Sequence, residues 1–391
     1  MKREKSLAKI ADKFHVNPVL AILGPRQCGK TTLSSMYAAT LGKKSITVFD
    51  LEKPVDLAVL EENPYTVLSG YRGLIIIDEI QRRPELFPVL RVLVDEKKER
   101  KFLILGSASR DLIKQSSETL AGRISYLELT PFSIEEASDI EKTWIRGGFP
   151  RSYLSETNDS SFEWRSDFIR TFLERDIPNL GFSIPADSIR RTWSMLAHYH
   201  GKRINYSEIA TSLSFGRNTV SDNTVRNYID ILCGTFMIRR LKPWFENMVK
   251  RQRKTPKLYF RDSGIFHSML GIKSLDELYR HPFLGFSWEG FIIEEIIRYY
   301  EADNEDCYYW EKRQKGGAEL DLIILKDGKM LGFEIKATDS PKITKSINIA
   351  LEELGLNEIS ILYRGEKTFA LGENVKAVGV NTVKFPQSLS L

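Results

Sequence analysis

The stretch that decides the fold is Gly24-Pro25-Arg26-Gln27-Cys28-Gly29-Lys30-Thr31. It satisfies the pattern G-x-x-x-x-G-K-[ST] in full. A short apolar run, Pro18 to Leu23, precedes it, and a helical pattern follows from Lys30 to about Leu41. A strand feeding a glycine-rich loop that opens a helix is the context in which this pattern cradles phosphates. The glycines let backbone N–H groups close around an anion, at a helix N-terminus that already favours negative charge. Lys30 is expected to reach the β- and γ-phosphates, and the Thr31 hydroxyl to ligate Mg²⁺. The predicted nucleotide contacts are Gly24, Pro25, Arg26, Gln27, Cys28, Gly29, Lys30, Thr31 and Thr32, and the expected ligand is ATP with Mg²⁺.

Working outward, Leu74-Ile75-Ile76-Ile77-Asp78-Glu79 is an apolar strand ending in two carboxylates. Asp78 is placed for the metal shell and Glu79 for polarising an attacking water. Taken alone, the pair would read equally well as an acidic helix cap. A third strand, Phe102–Leu105, runs into Gly106-Ser107, and Ser107 is placed to sense the γ-phosphate or orient water; a turn serine is the plainer alternative. Arg123 is a candidate arginine finger, in cis or from a neighbouring subunit, set against a surface arginine beside a tight turn. A finger in trans would require a homo-oligomer, as a ring or a dimer.

These runs, with Ser45–Phe49 and Ser125–Leu129, predict an α/β unit over residues 1–140 with a parallel sheet and helices on both faces. Residues 141–270 are mostly helical in pattern, with a polar link at Asn158-Asp159-Ser160-Ser161. Residues 284–391 open with a helix, Ser287–Tyr300, and turn to strands at Cys307–Trp310, Glu319–Leu325 and Met330–Ala337. Bulk composition agrees with a multidomain globular protein: 391 residues, 42% hydrophobic, 28% charged. The formal charge of +5 permits a nucleic-acid partner without demanding one. Three cysteines without metal or redox spacing fit a reducing compartment. The basic N-terminus lacks the apolar core of a signal peptide, and no apolar run approaches a membrane span. A cytoplasmic protein with no membrane contact is the expectation.

Several segments resemble the AAA-type ATPases fused to a C-terminal domain of unknown function. They are GPRQCGKTTL (24–33), IIIDEIQRRPELFPVLR (75–91), LGSASRDL (105–112) and LAGRISYLELTPFS (120–133). Gly147-Gly148-Phe149-Pro150, Phe172-Leu173-Glu174-Arg175-Asp176-Ile177 and the run Pro256–Gly264 extend the likeness through most of the chain. The resemblance implies an AAA-like P-loop core and a winged-helix-like segment at about 190–245.

From the residues themselves, Ile204–Ala210 and Asn223–Leu232 have helix-turn-helix character, with a polar turn around Gly216. Val225, Tyr228, Ile229 and Leu232 are expected to face inward. Arg217, Asn218, Asn223, Thr224 and Arg226 would suit contact with double-stranded DNA. The same motif also serves as a packing or protein-contact module.

Near the C-terminus, Glu319–Leu325 and Met330–Ala337 flank Asp327-Gly328, a strong two-residue hairpin turn. With those two residues central, Asp321 falls opposite Glu334 and Glu319 opposite Lys336, all on one face. Facing carboxylates repel unless a cation or proton lies between them, so the geometry suits Mg²⁺ or Mn²⁺ with Lys336 near a phosphate. This spacing resembles the PD-(D/E)xK nuclease superfamily and implies a restriction-endonuclease-like α/β domain. Its helical glutamate would be Glu289, with Glu294 as runner-up. Leu320 stands where that superfamily usually has proline. Two functions follow. One is an ATP-dependent, DNA-associated enzyme with a metal-dependent nuclease-like domain. The other is a nucleotide-dependent regulator or scaffold whose nuclease-like domain is inactive.

Overall fold

The computed structural model describes residues 3–42, 45–96, 99–107, 118–182, 184–214, 219–245, 255–312 and 317–380. It divides into two compact units, Met1–Pro131 with Gly234–Phe236, and Phe132–Cys233 with Met237–Leu391.

In the first unit, five parallel strands lie in the order β2-β3-β4-β1-β5. They are β1 (Val19–Leu23), β2 (Ile46–Asp50), β3 (Gly73–Asp78), β4 (Arg100–Gly106) and β5 (Ile124–Glu128). Every residue of β1 is buried, as are the five after Gly73 in β3. Such continuous apolar runs are what a sheet covered on both faces requires. Because β4 lies between β1 and β3, the C-terminal ends of these three strands meet at one edge. The phosphate-loop sequence, Asp78 and Ser107 all lie at that edge.

The second unit opens with helices. Asn158-Asp159-Ser160-Ser161, expected as a polar link, is instead the first turn of a helix, Asn158–Thr171. The Thr157 side chain accepts from Ser160 N–H, and Ser160 Oγ returns a bond to Thr157 N–H. These polar residues therefore cap a helix, a role that composition alone does not separate from a loop. The helices Tyr206–Leu213 and Asp222–Gly234 form the expected pair, with Val225, Ile229 and Leu232 buried and Tyr228 half-buried. Gly216, Arg217 and Asn218 lie outside the described residues.

The unit's sheet has eight strands in the order β12-β13-β11-β10-β9-β8-β6-β7. Two come from the middle of the chain, β6 (Ile238–Pro243) and β7 (Lys257–Phe260). The others are β8 (Cys307–Lys312), β9 (Ala318–Lys326), β10 (Lys329–Lys336), β11 (Ile359–Tyr363), β12 (Phe369–Gly372) and β13 (Val375–Gly379). The helix Leu284–Tyr300 packs its Trp288, Ile292, Ile293 and Ile296 into the core this sheet shares with Leu322, Ile324 and Phe333. The hairpin turns at Asp327 and Gly328, with φ of 50° and 74°. Two positive φ values define the tight turn that matches strand twist. Its register runs from Lys329↔Lys326 to Phe333↔Leu322, as the turn residues predict.

Candidate active sites

The strand-to-helix loop is built around backbone that only some residues tolerate. Gly29 adopts φ 101° at the helix N-terminus. Gly24 is set by close approach, since a Cβ there would lie 2.1 Å from the Leu129 carbonyl oxygen. Lys30 is buried and its ammonium donates to the Gly24 and Pro25 carbonyls at 3.0 and 2.9 Å, across the loop. Thr31 Oγ1 donates to Asp78 Oδ2 at 2.6 Å, which sets two hard oxygen donors side by side. Glu79 sits in left-handed backbone, φ 56° and ψ 44°, and its N–H is held by Asp78 Oδ1 at 2.9 Å. Burial pushes the Asp78 carboxyl up, against the Thr31 hydrogen bond and Lys30. Burial also raises Glu79, against Lys30 and Arg26.

Gln81 was not foreseen. Its amide donates to Ser107 Oγ at 3.0 Å and to Glu79 Oε2, and so ties the ends of β3 and β4 together. It lies in a three-residue turn, Ile80–Arg82, too short for any periodicity to mark it. Arg26 pairs with Glu52 and approaches Glu79 at 3.9 Å. Cys28 is buried, its thiol directed at the Leu129 carbonyl. Arg123 is a correction. It precedes β5 and bonds Asp95 through Nε and Nη2 at 2.6 and 3.0 Å. In a parallel sheet, that end of β5 lies opposite the phosphate loop, so Arg123 does not serve as a finger in its own subunit.

In the second unit a cleft of about 400 Å³ is lined by Glu289, Glu319, Asp321, Glu334, Lys336 and Lys257, with Lys202 and Arg203 among its other walls. The predicted group Glu289, Asp321, Glu334 and Lys336 therefore converges from a helix and two strands. Asp321 Oδ2 accepts from Ile335 N–H at 2.8 Å. Lys336 Nζ lies 2.5 Å from Glu334 Oε1, while Glu334 Oε2 is buried with no hydrogen-bond partner. Burial and Asp321 push Glu334 up, and burial and Asp321 do the same to Glu289. Glu319 takes Lys257 as its ion-pair partner. Tyr259 donates to Glu289 Oε1 at 2.5 Å. Lys257 and Tyr259 come from β7, far away in sequence, and a charge in a wholly buried four-residue strand was the only signal of the former. Among the described residues, no three His, Cys, Asp or Glu side chains are already gathered as a metal centre.

Glu294, the runner-up to Glu289, lies elsewhere and holds Arg239 through both carboxylate oxygens, with Arg261 Nε at 3.4 Å. In the helix pair, Asn223 is exposed and Thr224 is half-buried, bonded to Ser221. The Arg226 guanidinium stacks 3.8 Å from the Tyr206 ring centre.

The phosphate loop, Asp78 and the five-stranded parallel sheet define an AAA-type P-loop ATPase domain, and residues 16–138 match the family described as AAA domain. Residues 137–276 and 284–383 match two domains of unknown function, DUF8612 and DUF4143. Uncharacterized protein Rv2008c of Mycobacterium tuberculosis and uncharacterized protein Mb2031c of Mycobacterium bovis are each 44% identical over 386 residues, covering 98% of this chain and 85% of theirs. The chain belongs to the same family as these mycobacterial proteins. Among solved structures, the Walker-type ATPase PABY2304 of Pyrococcus abyssi is similar at 14% identity and a TM-score of 0.49, over 69% of this chain and 95% of that one. No helix among the described residues is long and apolar enough to cross a membrane.

Proposed function

We propose that the first unit binds and hydrolyses ATP with Mg²⁺. The observation that carries this is the Thr31–Asp78 hydrogen bond beside Lys30, with Glu79 held one residue further on. Thr31 and Asp78 are the oxygens that would hold Mg²⁺, which neutralises charge on the transferring phosphoryl group when bound. Lys30 and the loop amides orient the phosphates. Glu79, its carboxyl raised by burial, is poised to take a proton from the attacking water, and Gln81 and Ser107 hold it in place. Glu79→Gln is expected to keep ATP affinity and lose turnover by roughly 10²–10⁴-fold, the usual worth of a positioned base. ATP hydrolysis at the parental rate in that variant would remove Glu79 from the role.

A second reading concerns the cleft, and the unpartnered Glu334 Oε2 favours it. Glu289, Asp321 and Glu334 offer hard oxygen ligands suited to Mg²⁺ or Mn²⁺, and Lys336 stands beside them as a PD-(D/E)xK site would require. Such an ion would polarise a phosphodiester and activate water. This supports metal-dependent cleavage of double-stranded DNA. Plasmid nicking that needs Mg²⁺, disappears in Asp321→Ala and survives in Lys30→Ala is the expected result. Without nicking under any divalent metal, the domain is left as a binding surface, and the protein as a nucleotide-dependent regulator.

A further inference from the structure

The least expected side chain in the cleft is Lys257. It is buried, on a strand whose other three residues are Leu258, Tyr259 and Phe260, and its ammonium meets two carboxylates at once. It pairs with Glu319, lies 3.7 Å from Glu289 Oε1, and sits 5.3 Å from the Tyr309 ring centre. Lys336 is committed to Glu334, two residues before it on the same strand, β10. The buried carboxylates of Asp321 and Glu334 and the part-buried one of Glu289 are therefore compensated from within by two ammonium groups, and each is drawn to a protein partner rather than to a common point.

Two such ammonium groups compete with any other cation for the same oxygens. Glu319 differs from these three because its side chain is about half exposed at the cleft mouth. It offers Lys257 a seat that does not involve Glu289. The ammonium can thus leave Glu289 without losing its charge partner.

We propose that Lys257 is a built-in counter-ion of the cleft: it competes with a divalent cation for Glu289 and Asp321, and gives way towards Glu319 when the ion enters. This rests on the metal-binding reading of the cleft. Lys257 is accordingly a residue that sets metal affinity, and its loss tightens metal binding rather than weakening it.

The test is Mn²⁺ binding to the full chain without nucleotide, by isothermal titration calorimetry, with Asp321→Asn identifying the heat that belongs to the cleft. Lys257→Met keeps the stem and removes the charge. It is expected to bind Mn²⁺ about tenfold more tightly, a modest fraction of one unit-charge contact at this range. Lys257→Arg, which keeps the charge, should show no such gain. Unchanged or weaker binding in Lys257→Met overturns the inference while leaving the metal reading intact. Absence of Asp321-dependent binding in every variant removes the metal reading and the inference with it. Should Lys257→Met fail to fold, a Mn²⁺-soaked crystal of the unaltered protein decides. The ammonium withdrawn from Glu289 onto Glu319 supports the proposal, and an ion bound with Lys257 still on Glu289 overturns it.

Discussion

The two sites use the same chemical parts and assemble them in opposite ways. At the loop, the buried Lys30 spends its donors on backbone carbonyls, and Asp78 is satisfied by the neutral Thr31 hydroxyl and a backbone N–H. In the cleft, Lys257 and Lys336 are bound to the carboxylates themselves, and those carboxylates raise one another's pKa. The first arrangement keeps cation and anions apart until a phosphate brings its own charge. The second is an acidic cluster already partly neutralised. On the proposed function, similar residue types serve different ligands: an anion with its metal at the loop, a cation at the cleft.

The sharpest way to break this contrast is to exchange the losses. Lys30→Ala should abolish ATP binding and leave Mn²⁺ binding at the cleft unchanged. Asp321→Asn should do the reverse, since it removes a buried charge from the cleft alone. Calorimetry with each ligand reads both outcomes on the same protein. Cross-loss, with either variant disabling both ligands, would show that the sites are not independent and would dissolve the comparison.

The next effect in size concerns the helix Leu284–Tyr300, which carries Glu289 to the cleft and also bears Glu294. Burial would raise the Glu294 carboxyl, but Arg239 and Arg261 overcome it and hold it down at about 2. Breaking a buried pair leaves a charge without compensation, so Glu294→Gln should cost about 3–5 kcal/mol in unfolding free energy. All six tryptophans lie in the second unit, so their fluorescence in a urea titration reports on it. A loss below 1 kcal/mol would mean the pair does little to hold this helix.

That unit also carries two buried histidines whose protonation works against its fold. Burial drops the pKa of both His200 and His267 to about 3. His267 uses Nδ1 towards the Ile145 carbonyl and Nε2 towards Ser287 Oγ, as a neutral ring does. The unfolded chain takes up these protons near pH 6.5 and the folded chain does not. Stability from this source is therefore complete above about pH 6.5 and falls between there and about pH 3, by up to about 1.4 kcal/mol per pH unit for each histidine. Glu289 and Glu334, pushed up to about 7 and about 8, act in the opposite sense over much of that window, so the histidine contribution is read by difference. His267→Gln should remove its share of the pH dependence of the tryptophan-monitored midpoint, and an unchanged slope would mean that the ring is not held neutral.

What the residues alone disclosed follows from how local each constraint is. The loop could be read because its strand, glycines, lysine and threonine are contiguous, and backbone conformation enforces their spacing. Asp321 and Glu334 could be set towards one another because a two-residue turn fixes register outward from it, as far as Leu322 and Phe333 in the paired strands. Gln81, Lys257 and Tyr259 could not, since their partners lie across strand order, and no local period records which strands become neighbours. Arg123 stood open between a finger, in cis or in trans, and a surface arginine for the same reason: a glycine turn and an arginine say nothing about which end of the sheet they occupy. Asn158–Ser161 failed differently, because helix caps and loops draw on the same polar residues.

The smallest expected effect tests that account of the hairpin. Gly328 has φ 74° and open space where a Cβ would lie, so Gly328→Ala meets only the backbone penalty of left-handed geometry. That penalty is about 1 kcal/mol. The strands on either side already have their register specified by burial of Leu322, Ile324 and Phe333, and a slip by one residue would turn those side chains to the wrong face. Gly328→Ala should therefore lower stability by about that amount and leave Mn²⁺ affinity at the cleft unchanged. If affinity falls along with stability, the turn itself holds Asp321 against Glu334, and the core does not.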